Sequence, residues 1–552
     1  MNVPFTTNGF LSPPVLELVK KYQEDLQKKP KFESSPIHVD EIASKIAYFY
    51  ERIRKITDWK EENILRRNAI ERILKRSLIS EISKFNFIFK SNINEIAEPL
   101  VLELIRGGHL PNDEIPREKI EEVDKVLKKY IYLIRNAPFN STNSSFVLKK
   151  KVNFFDWLLS IAACEIEETL SFPVKENALI EAMTLLMNER IRFVPTNAIS
   201  ENDKFVQTYI AVHRTLFDLD EAIIAYHLLK HQYPSWSNPS EEFLKKITEN
   251  IFTVWETIDN ILHHHFSKEF FNICEKTDTV FTILSDILGS FKNEPEKIVP
   301  ILSDKENFKK QVVKYYNQRL TTLKSRLFKL AIFSTLSVFV SNWFSFFVVE
   351  VPLAHFFYQG FSLSAAIFDF VVPSIVMFVL VAIIRPPSSS NLNRVLGLSY
   401  SFVYSNEEKE IYEIKFKKKR RPITSFIIAL FYLIAFLVSF GAVAYFFYLV
   451  KIPPTSVILD TIGIALNVFA ALVIRNKARE ITVEEKTSFG EFFLDIISLP
   501  IAETGSWLAS KWREYNVVAV FFNVIVETPF ISFIEFIESW RGFLKERKAD
   551  IH

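Results

Sequence analysis

Two aspartates stand inside otherwise oily stretches. Asp369 lies in SAAIFDFVVPSIVMFVLVAIIRP and Asp460 in TSVILDTIGIALNVFAALVIRN, and an arginine, Arg385 or Arg475, closes each run. An ionisable side chain in an apolar helix is costly, and the chemistry that justifies one is binding or moving an ion or a proton. Fifteen or sixteen residues separate each acid from its arginine, about 22–24 Å of helix at about 1.5 Å per residue. With the arginines at the inner boundary of a bilayer, the acids lie about 6–8 Å inside the outer one. Two readings stand at that depth: acids at the outer interface or capping a helix start, and an ion or proton site shared between two hairpins.

A second constellation involves histidine. Glu256, Asp259 and His263 share one helix face at i, i+3, i+7 spacing, and His213, counted back along a helical hairpin, stands level with Asp259. Histidine and carboxylate from two facing helices can hold a transition metal. Against that, no HExxH and no paired ExxH motif occurs, and solvated or hydrogen-bonded side chains account for the same residues. The run CEIEE brings Glu165, Glu167 and Glu168 together; acid–base work needs such groups in a pocket, and the expectation is a solvated helix face. No G-x-S-x-G elbow is present, and neither Cys164 nor Cys274 sits in a catalytic signature. Glycine numbers only eleven, with no G-x-G and no G-x-x-x-x-G-K-[ST]. Phosphate-cradling loops need glycine for close backbone approach, so P-loop and dinucleotide-binding chemistry is excluded and no nucleotide is expected. The net charge of +2 gives no global field for nucleic acid. No cofactor is implied.

The elements that must position these residues are helices. Leu330–Val349, Phe361–Ile384, Pro422–Val450 and Ile452–Ile474 are each long enough to cross about 30 Å of hydrocarbon, interrupted only by the two aspartates. Arg319, Lys324, Arg326 and Lys329 precede the first run, Arg385, Arg394, Lys409 and KFKKKRR separate the second from the third, and Arg475, Lys477 and Arg479 follow the fourth. The opposite flanks carry only Lys451. Positive residues stay inside, which predicts both termini and the central segment in the cytoplasm. The two hairpins share a basic inner flank, a proline near the outer turn and an acid on the return helix, a pattern consistent with a parallel duplication.

The expected fold is all-α. A helical cytoplasmic domain spans 1–320, hairpins span 321–385 and 424–476, a basic cytoplasmic loop spans 386–423, and an amphipathic tail spans 477–552 at the inner leaflet or docked on the spans. The last soluble helix, around 304–326, is predicted to run straight into the first span. Ser200 is predicted to cap a helix over about 201–232, and Asn238-Pro239-Ser240-Glu241 to open a second with proline in its first turn. Val212, Leu216, Leu219, Ile223 and Tyr226 would pack on Ile247, Ile251, Val254, Ile258 and Ile261. The N-terminus lacks a secretory leader pattern, and the two cysteines read as buried small hydrophobes in a reducing compartment.

Two surface sets complete the inventory. Lys415, Lys417, Lys418, Lys419, Arg420 and Arg421, directly before the third span, either hold the loop inside or bind anionic lipid headgroups. Trp507, Trp512, Tyr515 and Trp540 place aromatic rings in the tail at headgroup level. The tail's apolar surface must be covered, which predicts a homo-oligomer or a protein partner.

The stretches IAVHRTLFDLDEAIIAYHLL, LSVFVSNWFSFFVVEVPL, AIIRPPS and SKWREYNVVAVFFNVIVETPF, taken together, resemble uncharacterised multi-span bacterial membrane proteins encoded in reduced genomes of candidate phyla. The resemblance implies a bacterial inner-membrane protein and brings no activity and no functional residues. The functional expectation is a membrane-anchored scaffold or protein-interaction module. The alternatives are a transporter or channel component using the paired aspartates, and a metal-binding or hydrolytic cytoplasmic domain.

Overall fold

The computed structural model describes residues 10–27, 36–39, 62–82, 94–138, 145–171, 173–195, 199–358, 363–382, 384, 387, 389–415, 422–450, 454–483, 489–515, 540 and 543. The chain is mostly helical. Helices α1 (Pro13–Gln27), α2 (Glu62–Ile82), α3 (Asn94–Arg106), α4 (Glu118–Asn136), α5 (Ser145–Leu170) and α6 (Val174–Arg190) come first. Strand β1 (Ile191–Val194) follows, then α7 (Glu201–Leu216), α8 (Glu221–Gln232), α9 (Glu241–Glu249), α10 (Ile251–Leu262), α11 (Ser267–Glu275), α12 (Asp278–Ser290) and α13 (Ile298–Ser303).

The predicted helix over 201–232 is two helices. Ser200 caps α7 as expected, accepting from the Asp203 amide. Asp218 then takes a left-handed conformation at φ 50°, a region that aspartate tolerates better than most residues. Asp220 caps α8 by accepting from the Ile223 amide. The second half of the predicted hairpin also divides, into α9 and α10. Its cap is Ser240, which accepts from Phe243, so Pro239 precedes the helix instead of opening it.

Two separate cores result. The distal one gathers α2–α5, α8, α9, α10 and the first half of α7, with Val206 and Ile210 among its members. The other gathers α1, α6, α11, α12, the second half of α7 with Val212 and Leu216, and everything that leads to the apolar helices. Helix α7 therefore joins the two, and Tyr209 and Leu219 pack against both. The predicted stripe on 212–226 is apolar because it serves two cores in turn.

Helix α14 (Lys305–Ser345) is one continuous rod, capped by Asp304. Its first half buries Phe308, Val312, Tyr316 and Leu323 in the second core; beyond Leu327 it exposes Phe328, Ile332, Phe333, Leu336 and Trp343. The expectation that the last soluble helix continues into the first apolar run holds. A π-helical turn (Phe346–Glu350) carries it into α15 (Val351–Tyr358), where Pro352 lacks the amide that a regular turn would use. Helix α16 (Leu363–Ala382) returns beside α14 and packs Met377 and Val381 into the second core.

Residues 386–423, read from sequence as a loop, carry α17 (Ser389–Val403) and strand β2 (Tyr412–Lys415). Helix α17 buries Val395, Leu398 and Phe402 among the helices of the second core. β2 lies parallel to β1 in the register Ile191↔Tyr412 through Val194↔Lys415, a small departure from an all-α chain. Ile191, Phe193 and Ile414 face inward. Arg190 stacks on the Phe402 ring and donates to the Ser401 carbonyl. Ser12 donates to the Phe402 and Val403 carbonyls, which draws α1 onto the same segment.

Helices α18 (Pro422–Val450), α19 (Pro454–Ala478) and α20 (Phe489–Tyr515) complete the chain. Three helical stretches among the described residues are long and apolar enough to cross a membrane, Lys305–Val348, Pro422–Leu449 and Thr461–Ala478.

Candidate functional site

Helix α5 runs through the middle of the distal core, with Ile161, Ala162, Ala163, Cys164 and Ile166 all buried. Residues 165, 167 and 168 point in three directions at about 100° per residue, so only a helix covered all round hides all three. Here α5 is so covered, and the expected solvated face of CEIEE is overturned. Glu165 accepts from Lys129 Nζ at 2.6 Å and from the Tyr130 hydroxyl at 2.7 Å. Lys129 also donates to the Trp236 carbonyl at 2.8 Å, and Trp236 Nε1 donates to the Tyr130 oxygen at 3.1 Å. Glu167 meets Arg66 at 2.9 Å, and Arg66 reaches the His109 carbonyl. Glu168 meets Lys230 at 2.7 Å. Burial lowers the Lys129 ammonium despite its carboxylate partner, and burial raises Glu167 against the pull of Arg66. Each charge has a partner on another helix, so this is a cross-braced polar centre without an open face for a substrate.

The four proposed metal ligands are not brought together. His213 is fully buried in α7, its ring 4.9 Å from that of His227 and 4.3 Å from that of Tyr209, and neither ring nitrogen makes a hydrogen bond among the described residues. Glu256 pairs with Lys150 at 3.0 Å. Asp259 and His263 pair with each other at 3.4 Å on the surface, and His263 also faces Glu221 at 3.7 Å. Among the described residues no group of three or more His, Cys, Asp or Glu side chains is placed to hold a metal ion. Cys164 and Cys274 are free, buried, and raised by burial.

Asp369 and Asp460 fall on α16 and α19, which pack against each other. Asp369 follows the start of its helix at Leu363 by as many residues as Asp460 follows Pro454. Lys415 is exposed at the end of β2 and pairs with Glu413 at 3.2 Å. Lys417, Lys418, Lys419, Arg420 and Arg421 lie outside the described residues. Trp512 and Tyr515 fall in the last turns of α20; Trp507 and Trp540 are 60% and 52% exposed.

Sequence reasoning missed the most intimate contact in the apolar half. Helix α20 crosses α19 where a Cβ on Gly505 would come within 2.1 Å of the Ala465 carbonyl oxygen and 2.9 Å of the Phe469 Cβ. No other residue permits that approach without backbone movement, and Ile501, Ala502, Ala465 and Val468 close around it. Glu503, two residues before, accepts from the Tyr432 hydroxyl of α18. The signal was available: A-E-T-G-S packs small residues into an otherwise bulky tail.

Where the apolar helices meet the helices of the second core, polar side chains knit the junction. Arg319 of α14 clamps Asp286 of α12, with Nη2–Oδ1 at 2.9 Å, and Arg326 pairs with Glu480 just past α19. Asn391 of α17 donates to the Tyr316 hydroxyl at 3.0 Å and to the Ile481 carbonyl at 2.7 Å, and accepts from the Val483 amide at 2.9 Å. No protein-family model, no curated protein and no solved structure matches this chain.

Proposed function

We propose that this chain is a multi-span membrane protein whose helical cytoplasmic domain is a rigid platform for binding other proteins or further copies of itself. The observation that carries the reading is α14. One unbroken helix leaves a packed core and, beyond Leu327, continues beside α16 with a broad apolar face exposed. Helix α18 supports it, since Ile423, Phe426, Phe431, Leu437 and Tyr448 leave a broad apolar face of it exposed. Contiguous apolar surface on that scale needs lipid or protein around it. On this reading α14, α16, α18 and α19 are four spans. The basic flanks hold the N-terminal domain and 386–415 in the cytoplasm. Ala465 lies ten residues before Arg475, about 15 Å into the layer. Helix α20 therefore enters the membrane beside α19 and does not lie on the surface.

The junction supports a platform over a loose tether. Residues that follow the second and fourth apolar helices, Asn391 and Ile481 among them, are built into the cytoplasmic core. A photo-crosslinking amino acid at Lys245, exposed on α9 at the far end from the apolar helices, tests the reading in native membranes. Defined protein adducts at that position and lipid adducts from Phe426 are expected. A chain that stays monomeric and forms no protein adduct rules the platform out.

A second reading, a transporter or channel component, is favoured by one observation: the matched positions of Asp369 and Asp460 on two helices in contact. Ion or proton flux in proteoliposomes that falls at least about tenfold in both Asp369→Asn and Asp460→Asn supports it; unchanged flux removes it.

A further inference from the structure

A cleft of about 560 Å³ with charged side chains in its lining opens between α12, α14, the start of α6 and the turn after α19. Its charged lining is Lys175, Arg319 and Arg326 against Asp286 and Glu480, three cations to two carboxylates. The cations are not used up by those acids. Arg319 gives Nε and Nη2 to Asp286, Nη2 also reaches the Thr282 carbonyl, and Nη1 makes no hydrogen bond among the described residues. Arg326 gives only Nη2 to Glu480. Lys175, half-buried, has no ion-pair partner among the described residues, and its ammonium lies 3.7 Å from where a Cβ on Gly289 would stand. The Ser285 hydroxyl and the Tyr315 phenol also line the cleft without a hydrogen bond among the described residues.

We propose that this cleft binds a phosphate ester, with the phosphate of an anionic lipid headgroup as its source. Guanidinium forks and an ammonium converging with free hydroxyls match the several acceptor oxygens of a phosphate monoanion, and the Asp286 and Glu480 carboxylates hold the two guanidinium planes in place for it. The level of the cleft selects the lipid. The apolar run of α14 begins at Leu330, one turn past Arg326, about 6 Å along the axis. Arg326 at that height meets headgroups of the inner leaflet, with Arg319 about 10 Å further from the bilayer along the same helix. The lipid source rests on the membrane reading above, whereas the phosphate site itself does not.

The site is distinct from the Lys415–Arg421 run, whose role needs only smeared charge. A built cleft discriminates by headgroup and saturates at one molecule. Lys175→Gln is the informative variant, because it removes a ligand-facing charge without breaking an ion pair; Arg326→Gln adds the loss of the Glu480 contact. Native mass spectrometry of the full-length protein in detergent, titrated with phosphatidylglycerol, phosphatidylcholine or glycerol 3-phosphate, reads all arms. One saturating phosphatidylglycerol is expected, preferred over phosphatidylcholine. Its affinity should fall about fivefold in Lys175→Gln, fall further in Lys175→Gln/Arg326→Gln, and stay unchanged in Lys245→Gln, with equal melting temperatures for wild type and Lys175→Gln. Saturable glycerol 3-phosphate binding that needs Lys175, without lipid preference, assigns the site to a free phosphate ester. Phosphatidylglycerol binding that ignores Lys175, or no binding of either ligand, overturns the proposal. A protein that washes off membranes in carbonate would sink the membrane reading alone, leaving the glycerol 3-phosphate arm intact.

Discussion

Removing the Lys129 ammonium would leave Glu165 buried with one hydroxyl to satisfy it. A lone buried carboxylate costs far more than the pair contributes, so Lys129→Met should destabilise the distal core by about 3–5 kcal/mol. Replacing both, Lys129→Met with Glu165→Leu, should recover most of that loss, because neither charge then has to be desolvated. Urea unfolding followed by Trp236 fluorescence measures both. The histidines set a pH dependence of known sign. Burial lowers His227 to about 4, against a favourable Glu168 and an unfavourable Lys230, and lowers His213 further in the presence of His227. Their depressed values mean stability is full above the unfolded value near pH 6.5 and falls as pH drops toward 4. His227 alone accounts for at most about 3 kcal/mol of that loss. His227→Gln should flatten the stability curve between pH 6.5 and 4.5 relative to wild type, and an equally steep curve would contradict the assignment. At this scale the sequence was a poor guide. CEIEE looks like a wetted face because its partners, Arg66, Lys129 and Lys230, come from three helices distant in the chain, and no local pattern announces them. His213 is similarly opaque, since only the fold decides whether a histidine faces a carboxylate or a tyrosine ring.

Helices whose identity rests on local chemistry were legible. Asp304 caps α14, Ser200 caps α7, and the apolar runs of α14, α18 and α19 meet the length and composition needed to cross a membrane. Elements stabilised by distant packing were not. SSNLNRVLGLSYSFV, with its serines and glycine, reads as loop until Val395 and Phe402 find a core built mostly from other, separate segments of the chain. Four-residue strands such as IRFV and YEIK are too short to show alternation, and their parallel pairing joins segments on opposite sides of an apolar hairpin. The α19–α20 crossing belongs to the same class and is testable as an element. Cysteines replacing Val468 and Ile501, which share one cluster with Gly505's neighbours, should form an oxidative crosslink in membranes. Adding Gly505→Leu should abolish that crosslink, because the new Cβ meets backbone that cannot rotate away. Gly505→Ala should weaken it. An undiminished crosslink with leucine would show that the helices do not meet at Gly505.

The whole molecule is not a soluble domain with a detachable anchor. Of the two cores, the distal one is closed within residues 37–262. The other takes Leu11, Val15 and Leu186 from early in the chain but Phe308, Val312, Tyr316, Val395, Phe402, Tyr404, Ile414, Ile474 and Ile481 from α14 onward. Apolar side chains from the front half are therefore only partly covered by one another until the half from α14 onward is in place, and burial worth about 25 cal/mol per Å² is withheld. The two halves should behave differently when cut at residue 303. A fragment 1–303 should keep slow amide exchange in 94–136, 145–170 and 221–262, while 174–190 and 278–290 exchange at least about a hundredfold faster than in the full-length protein, as expected for a cooperative unit that has lost its core. The same fragment should bind a hydrophobic dye through the exposed faces of α6 and α12. Full protection of 174–190 and 278–290 in the fragment would mean that the second core is complete without α14 and α17. The platform would then hang from the membrane by a simple tether. Loss confined to that core instead ties the state of the cytoplasmic surface to the packing of the apolar helices, because Asn391, Arg319 and Arg326 bridge both through short, directed bonds.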